Sequence, residues 1–215
     1  ISPLIKGQKI LDTTRTGKNI VLVLNGKYNL YIHLMMTGKL LWNHPRLKEK
    51  HIRFFMELSG ENTLALHDIR KFGKIRLISK SNFHSAPWKF DFNKLRRFVP
   101  DALTISFKKF YEILSPKKGI IKNLLMNQKL VAGIGNIYSD EILWYAGIKP
   151  TRPANTLNKA EIKRVYSAMK KVLKTAICKG GTSMRDYRKP DGKEGGYYQI
   201  RKVYQREGKR CLRDG

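Results

Sequence analysis

The sequence predicts an α+β protein: a partial antiparallel β-sandwich in the first third, then helices. Three observations carry that expectation. Asn25-Gly26 separates two runs rich in β-branched and aromatic residues, a strong hairpin signal. From residue 104 onward the apolar spacing changes to i, i+3, i+4, the helical period. The chain has 215 residues, 41% of them hydrophobic, enough to bury a core in one or two domains.

Taken in order, residues 20–24 (Ile-Val-Leu-Val-Leu) and 28–34 flank the hairpin turn. Further strands are expected at 39–42, 53–58, 63–66 and 74–79, with polar turns at 43–50 and 59–62. Residues 80–100 read as a linker, with Trp88 and Phe90 expected to pack. Helices follow at 104–114, stopped by Pro116, at 119–128, and at 137–146, where Gly147 and Pro150 end the run. The fourth helix is the clearest. Ile162, Val165, Tyr166, Met169, Val172, Leu173, Ala176 and Ile177 form its apolar face. Asn158 and Glu161 make a capping box before it, and Gly180-Gly181 ends it. A Gly-, Asp- and Lys-rich loop covers 182–195, and 197–205 is expected to begin a strand.

Charge bounds the function. With 44 Lys+Arg against 16 Asp+Glu the net charge is +28, and the pI is near 10.2, so nucleic acid is the leading partner. No apolar run approaches a transmembrane span and none of these residues reads as a signal peptide; a cytoplasmic location, nucleoid-associated in a bacterium, is expected. Cys178 and Cys211 lie far apart and give no disulfide framework, which points to a reducing compartment.

The stretch Val131-Ala132-Gly133-Ile134-Gly135-Asn136-Ile137-Tyr138 suits an anion. Gly133 and Gly135 let the backbone turn tightly and expose its N–H groups, and a helix then starts with its positive dipole end at the same place. The plainer alternative is a glycine-hinged helix pair whose Asn136 only caps the second helix.

Several motifs in order resemble the formamidopyrimidine-DNA glycosylase / endonuclease VIII family. They are Thr16-Gly17-Lys18, His33-Leu34-Met35-Met36-Thr37-Gly38, Lys50-His51, His67-Asp68-Ile69-Arg70-Lys71-Phe72-Gly73, the 133–138 stretch, Gly180-Gly181-Thr182 with Arg185-Asp186-Tyr187, and Val203-Tyr204-Gln205-Arg206-Glu207-Gly208 with Cys211. The resemblance implies a partial β-sandwich catalytic domain over 1–82, a linker over 83–100, a helix-two-turns-helix DNA-binding domain with a lesion-capping loop over 101–195, and the start of a zinc-finger hairpin over 196–215. Gly133, Gly135 and Asn136 would then hold phosphates beside the lesion, with Lys118 and Lys122 as further phosphate contacts. Met36, Arg70 and Phe72 would fill the space left by a flipped base, His51 would contact DNA, and Lys18 would serve the lyase steps and a phosphate. From the residues alone, Met36 and Phe72 would suit an ordinary sandwich core and Lys18 an ordinary surface.

The resemblance also implies the substrate. The 182–196 loop, with Arg185 and Tyr187, resembles the segment that closes over an extruded 8-oxoguanine, which favours oxidised purines; Tyr187, Tyr197 and Tyr198 offer faces for stacking or for packing. The implied activity is that of a bifunctional glycosylase/AP lyase on damaged double-stranded DNA, in a monomer. An endonuclease VIII-like preference for oxidised pyrimidines is the nearest alternative. A non-catalytic helix-two-turns-helix module, as in some ribosomal proteins, is the more distant one.

The sequence departs from the family at both ends. The family's N-terminal proline, a Schiff-base nucleophile, and the glutamate after it are not among these residues, and Pro3 carries an amide nitrogen. Cys211 matches the first of four zinc-binding cysteines, and Asp214 stands where many members have the second, so the zinc site is incomplete. A piece truncated at both ends, inactive by itself, is therefore expected.

Overall fold

The computed structural model describes residues 2–43, 50–80, 99–183, 188–189, 191 and 193–214. They divide into two compact units, Ile1–Trp88 with Lys179–Tyr198, and Lys89–Cys178 with Gln199–Gly215. The expected linker over 83–100, with Trp88 and Phe90, lies almost wholly outside the described residues.

The first unit opens with a short helix α1 (Ser2–Ile5) and seven strands: β1 (Ile10–Thr16), β2 (Asn19–Leu24), β3 (Tyr28–His33), β4 (Lys39–Trp42), β5 (Ile52–Glu57), β6 (Thr63–His67) and β7 (Lys74–Ser79). They form two antiparallel sheets, ordered β1-β2-β3-β7 and β4-β6-β5. Leu22, Leu24, Leu30, Ile32 and Leu64 are buried between them, with Leu34, Leu40, Phe54, Met56, Ile75 and Leu77 packed around. The chain crosses from the first sheet to the second between β3 and β4, and returns between β6 and β7. Both crossovers therefore emerge at the same end of the sandwich. At the other end an open pocket of about 1050 Å³ is lined by Ile5, Leu30, Trp42 and Phe54, among others.

The expected hairpin forms, with Val23 opposite Asn29. Gln8 and Asn25 pin its turn through Gly26 N–H to Gln8 Oε1 (3.1 Å) and Lys9 N–H to Asn25 Oδ1 (2.9 Å). β1 has no counterpart among the expected strands. It is an edge strand with a mostly exposed, Asp- and Thr-rich sequence, so it lacks the alternation that marks a half-buried strand.

The second unit is helical: α2 (Phe107–Leu114), α3 (Ile121–Met126), α4 (Asn136–Ala146) and α5 (Lys159–Cys178). Ser106 caps α2 by accepting the Lys109 N–H (3.3 Å), which starts that helix later than residue 104. The capping box before α5 is reciprocal, with Glu161 N–H to Asn158 Oδ1 and Asn158 N–H to Glu161 Oε2 both 2.9 Å. Arg152 doubles the hold on Glu161 (2.6 Å). Ile162, Val165, Met169, Val172, Leu173 and Ala176 bury the predicted face of α5, whereas Ile177 at its end is exposed. Lys170, off that apolar face, turns back onto the chain before α2. Its ammonium donates to the carbonyls of Leu103 (2.9 Å) and Ile105 (2.8 Å), and its burial there pulls its pKa down.

The expectation of a strand over 197–205 is corrected. Tyr197–Ile200 is a short helix, α6, anchored by the buried Tyr197, and no extended strand lies among the described residues after Ser79. The reason lies on α4. The fully buried Glu141 accepts the backbone N–H groups of Lys202 (2.8 Å), Val203 (2.9 Å) and Tyr204 (3.0 Å), so these donors are unavailable to a strand ladder. Among the described residues, no helix is long and apolar enough to cross a membrane.

Candidate nucleic-acid interface

In the first unit the two crossovers carry the expected wedge residues and bring them together. Met36 lies between β3 and β4, and Arg70 and Phe72 lie between β6 and β7. Arg70 Nη1 reaches the Met36 sulfur at 3.6 Å, and its guanidinium lies 4.8 Å from the centre of the Phe72 ring. Met36 is 67% exposed and Phe72 44%, with Met35 and Ile69 exposed beside them, so the core alternative does not hold for either side chain. An exposed apolar cluster braced by a guanidinium can enter a base stack and face an orphaned base.

Asp68 organises that cluster, and sequence reasoning missed it. Burial pushes its carboxyl pKa up, but hydrogen bonds from the Thr37 hydroxyl and from the N–H groups of Gly73, Arg70 and Phe72 outweigh this and hold it below the usual carboxylate range. An Asp placed just before a Gly-closed loop was the available signal. Arg53, also missed, donates to the Asp68 carbonyl (2.9 Å) and comes within 3.5 Å of His51 Nδ1. His51 thus joins the same group, its ring 5.6 Å from that of His67.

Lys18 sits in the turn between β1 and β2, with Gly17 at φ +56°. Although it faces solvent, the surrounding protein desolvates its ammonium enough to lower its pKa. His33 lies close by, opposite Asn19 on β2 and Lys74 on β7. Burial, then the charges of Lys18 and Lys74, lower the His33 pKa. His33 Nδ1 accepts the Met35 N–H (3.0 Å), which fits a neutral ring protonated on Nε2. Lys18 and Lys74, with the neutral His33 beside them, make a cationic corner at the crossover end of the sandwich. Of the three, only Lys18 was expected.

In the second unit the 127–135 turn links α3 to α4. Gly133 adopts φ +108°, where a side chain would be strained. Gln128 braces the turn, accepting the Gly133 N–H (3.0 Å) and donating to the carbonyls of Met126 (2.7 Å) and Ile134 (2.8 Å). No sequence signal marked Gln128. Gly135 is the N-cap and Asn136 the first helical residue; no side chain caps this helix, so the capping alternative for Asn136 is excluded. Asn136 is exposed at the positive end of α4. Lys118 is exposed, whereas Lys122 is paired with Asp140 at 2.7 Å and ties α3 to α4.

Arg185 and Tyr187 lie outside the described residues. The base of their loop is closed by a Thr182–Gly196 bridge and by the Gly195 N–H to Ser183 Oγ (2.7 Å). A Cβ on Gly195 would stand 2.3 Å from the Gly181 carbonyl oxygen, so only glycine fits there. Tyr197 is buried, which gives it to packing rather than stacking. Cys211 is exposed, with Asp214 Oδ2 3.6 Å from its sulfur, and no third metal-ligating side chain joins them among the described residues.

A β-sandwich with an exposed Met36–Arg70–Phe72 cluster, and a helical unit with a glycine-hinged turn at a helix start, suit the class of base-excision DNA glycosylases. The comparisons with known proteins narrow this class. Residues 1–75 match the formamidopyrimidine-DNA glycosylase N-terminal domain and residues 99–188 the formamidopyrimidine-DNA glycosylase H2TH domain. The formamidopyrimidine-DNA glycosylase of Moorella thermoacetica is 38% identical over 219 residues, covering 100% of this chain and 77% of the relative. The crystal structure of the MutM (Fpg) protein from Thermus thermophilus superposes with a TM-score of 0.86 at 36% identity, over 99% of this chain and 77% of that one. MutM in complex with DNA containing carbocyclic 8-oxo-G gives a TM-score of 0.85 at 32% identity, over 98% and 76%. The chain belongs to the formamidopyrimidine-DNA glycosylase family, base-excision repair glycosylase/AP lyases that act on oxidised bases.

Proposed function

We propose that these 215 residues hold and deform duplex DNA for the excision of oxidised purines, 8-oxoguanine and formamidopyrimidines, and that the attacking amine lies outside them. The observation that carries this reading is the contact of Arg70 with both Met36 and Phe72 on two exposed crossovers. Met36 and Phe72 enter the stack as the damaged base leaves it, and Arg70 faces the base left behind. Gly133, Gly135 and Asn136 hold phosphate through the open end of α4, and Lys118 adds its charge. Lys122 reaches DNA only by leaving Asp140. Lys18 contacts phosphate and serves the lyase steps, its lowered pKa making it a readier proton carrier than an ordinary lysine. His51 contacts DNA. Arg185 and Tyr187 belong to a loop, closed at its base by Thr182 and Gly196, that covers the extruded base.

The purine preference is supported by solved relatives whose DNA carries carbocyclic 8-oxo-G or Fapy-dG. The proposed domain limits are 1–82 for the sandwich, 83–100 for the linker, 101–195 for the helix-two-turns-helix region with its loop, and 196–215 for the start of a zinc-finger hairpin. A zinc ion of the kind the family resemblance implies would take Cys211. One thiolate with Asp214 nearby falls short of a closed tetrahedral set, and no step here runs through a metal.

Borohydride trapping on an abasic-site duplex tests the division of labour. The 215-residue chain is expected to bind that duplex without forming a covalent adduct, whereas an adduct through any of these residues, Lys18 first among them, contradicts the proposal. Competition between duplexes carrying 8-oxoguanine and thymine glycol tests the substrate class. Tighter binding of 8-oxoguanine is expected; the reverse order assigns the chain to oxidised pyrimidines.

A further inference from the structure

Asp68 is 1% exposed, and no cation pairs with its carboxylate among the described residues. A carboxylate taken out of water in this way must be satisfied by hydrogen bonds. Its donors come from two separate stretches of chain. The Thr37 hydroxyl belongs to the β3–β4 crossover, one residue after Met36. The N–H groups of Arg70 (3.2 Å) and Gly73 (2.6 Å) belong to the β6–β7 crossover and bracket Phe72. Thr37 Oγ1 also accepts the Arg70 N–H at 3.4 Å, so the contact between the crossovers is two-way. Gly73 must stay close, since even a Cβ there would lie 3.1 Å from Asp68 Oδ2.

Both crossovers need such a tie. Met35, next to Met36, has φ +53°, and Lys71, between Arg70 and Phe72, has φ +59°. Side chains rarely adopt this left-handed region, and it persists only where surrounding structure enforces it. Each wedge-bearing segment thus contains a strained residue beside a wedge residue, and Asp68 bonds to both segments.

We propose that Asp68 is a positioning residue, a latch that joins the two crossovers through Thr37 and keeps Met36, Arg70 and Phe72 assembled before DNA arrives. This rests on the wedge reading of those three side chains. With the latch broken, DNA itself must order each segment at the moment of base extrusion. Affinity for damaged DNA then falls, while phosphate holding, done elsewhere, does not.

The test uses the full 215-residue chain with an abasic-analogue duplex that carries 2-aminopurine beside the gap, and the same duplex intact. Thr37→Val removes the hydroxyl and leaves the β6–β7 segment its own bonds to Asp68; Asp68→Asn removes the charge and turns one of the two acceptor oxygens into a donor. Both are expected to bind intact DNA within about twofold of the parent and to lose roughly tenfold in preference for the abasic duplex, the scale of one hydrogen bond to a buried charge. The 2-aminopurine fluorescence change on binding should shrink in both, and Thr37→Ser should restore it. Should Asp68→Asn fail to fold, Thr37→Val and its serine rescue decide the matter alone. Phe72→Ala separates the two layers of the argument. If Phe72→Ala loses the preference while Thr37→Val keeps it, the latch is wrong and the wedge stands. If Phe72→Ala also keeps it, both fall.

Discussion

At the scale of single residues, Met36 and Phe72 show where sequence reading reaches its limit. Apolar residues between strands can either fold back into a sandwich or stay in water, and periodicity says nothing about crossovers. Their exposure and their contacts with Arg70 decide the matter in the structure. Asp68, His33 and Gln128 were hidden for a different reason: each works through backbone N–H or carbonyl groups, which leave little trace in residue type. The place of Asn136 at the start of a helix was legible from Gly133 and Gly135, whereas its freedom from capping was not. Asn136→Ala should weaken binding to damaged and intact duplexes alike by roughly three- to tenfold, in line with one hydrogen bond; loss of damage preference alone would argue against a phosphate role. The acid response can also be read from single residues. The folded-state pKa of His33 is lowered, so the unfolded chain takes up that proton first, and stability should fall as pH drops below about 6.5 toward the folded value. Asp68 acts lower on the scale. Its depressed pKa contributes stability above about pH 3.9 that is lost as pH falls from there through the folded value. In urea titrations across pH, replacing His33 with Gln should flatten the first decline and Asp68→Asn the second. An unchanged slope in either variant contradicts the corresponding assignment.

Among the elements, those built on periodicity or capping were legible and those built on tertiary contacts were not. Helix α5 lies where its apolar face and capping box put it, and the β2–β3 hairpin lies where Asn25-Gly26 put it. Strand β1 was missed because pairing with β2, not burial, makes it a strand. The 197–205 segment was misread because Glu141, far away in sequence, claims its backbone donors. Glu141→Gln leaves a single acceptor oxygen for those three N–H groups, and should cost about 2 kcal/mol, a drop of several degrees in melting temperature. Removing one side of the capping box, as in Asn158→Ala, should cost only about 1 kcal/mol. Thermal melts of the two variants side by side check the ranking. Equal losses would mean that Glu141 merely fills space.

For the whole molecule, charge comes first. A net charge of +28 makes tight binding to any DNA at low salt unavoidable, so affinity by itself is weak evidence for a repair function. What separates a damage-recognising protein from a merely basic one is preference at matched ionic strength. Lys118→Ala should reduce the salt slope of binding by about one, while Lys122→Ala, already paired with Asp140, should change it less. In the proposed function this family member recognises the gap left by a displaced base through an exposed wedge, while a sequence-independent phosphate grip holds the strand. The most direct test measures equilibrium binding of the 215-residue chain to an abasic-analogue duplex and to its intact counterpart from about 50 to 200 mM salt. Parallel salt slopes are expected, with the abasic duplex bound at least roughly tenfold more tightly throughout, because its unstacking cost is already met. Equal affinities for the two duplexes at every salt concentration would contradict it.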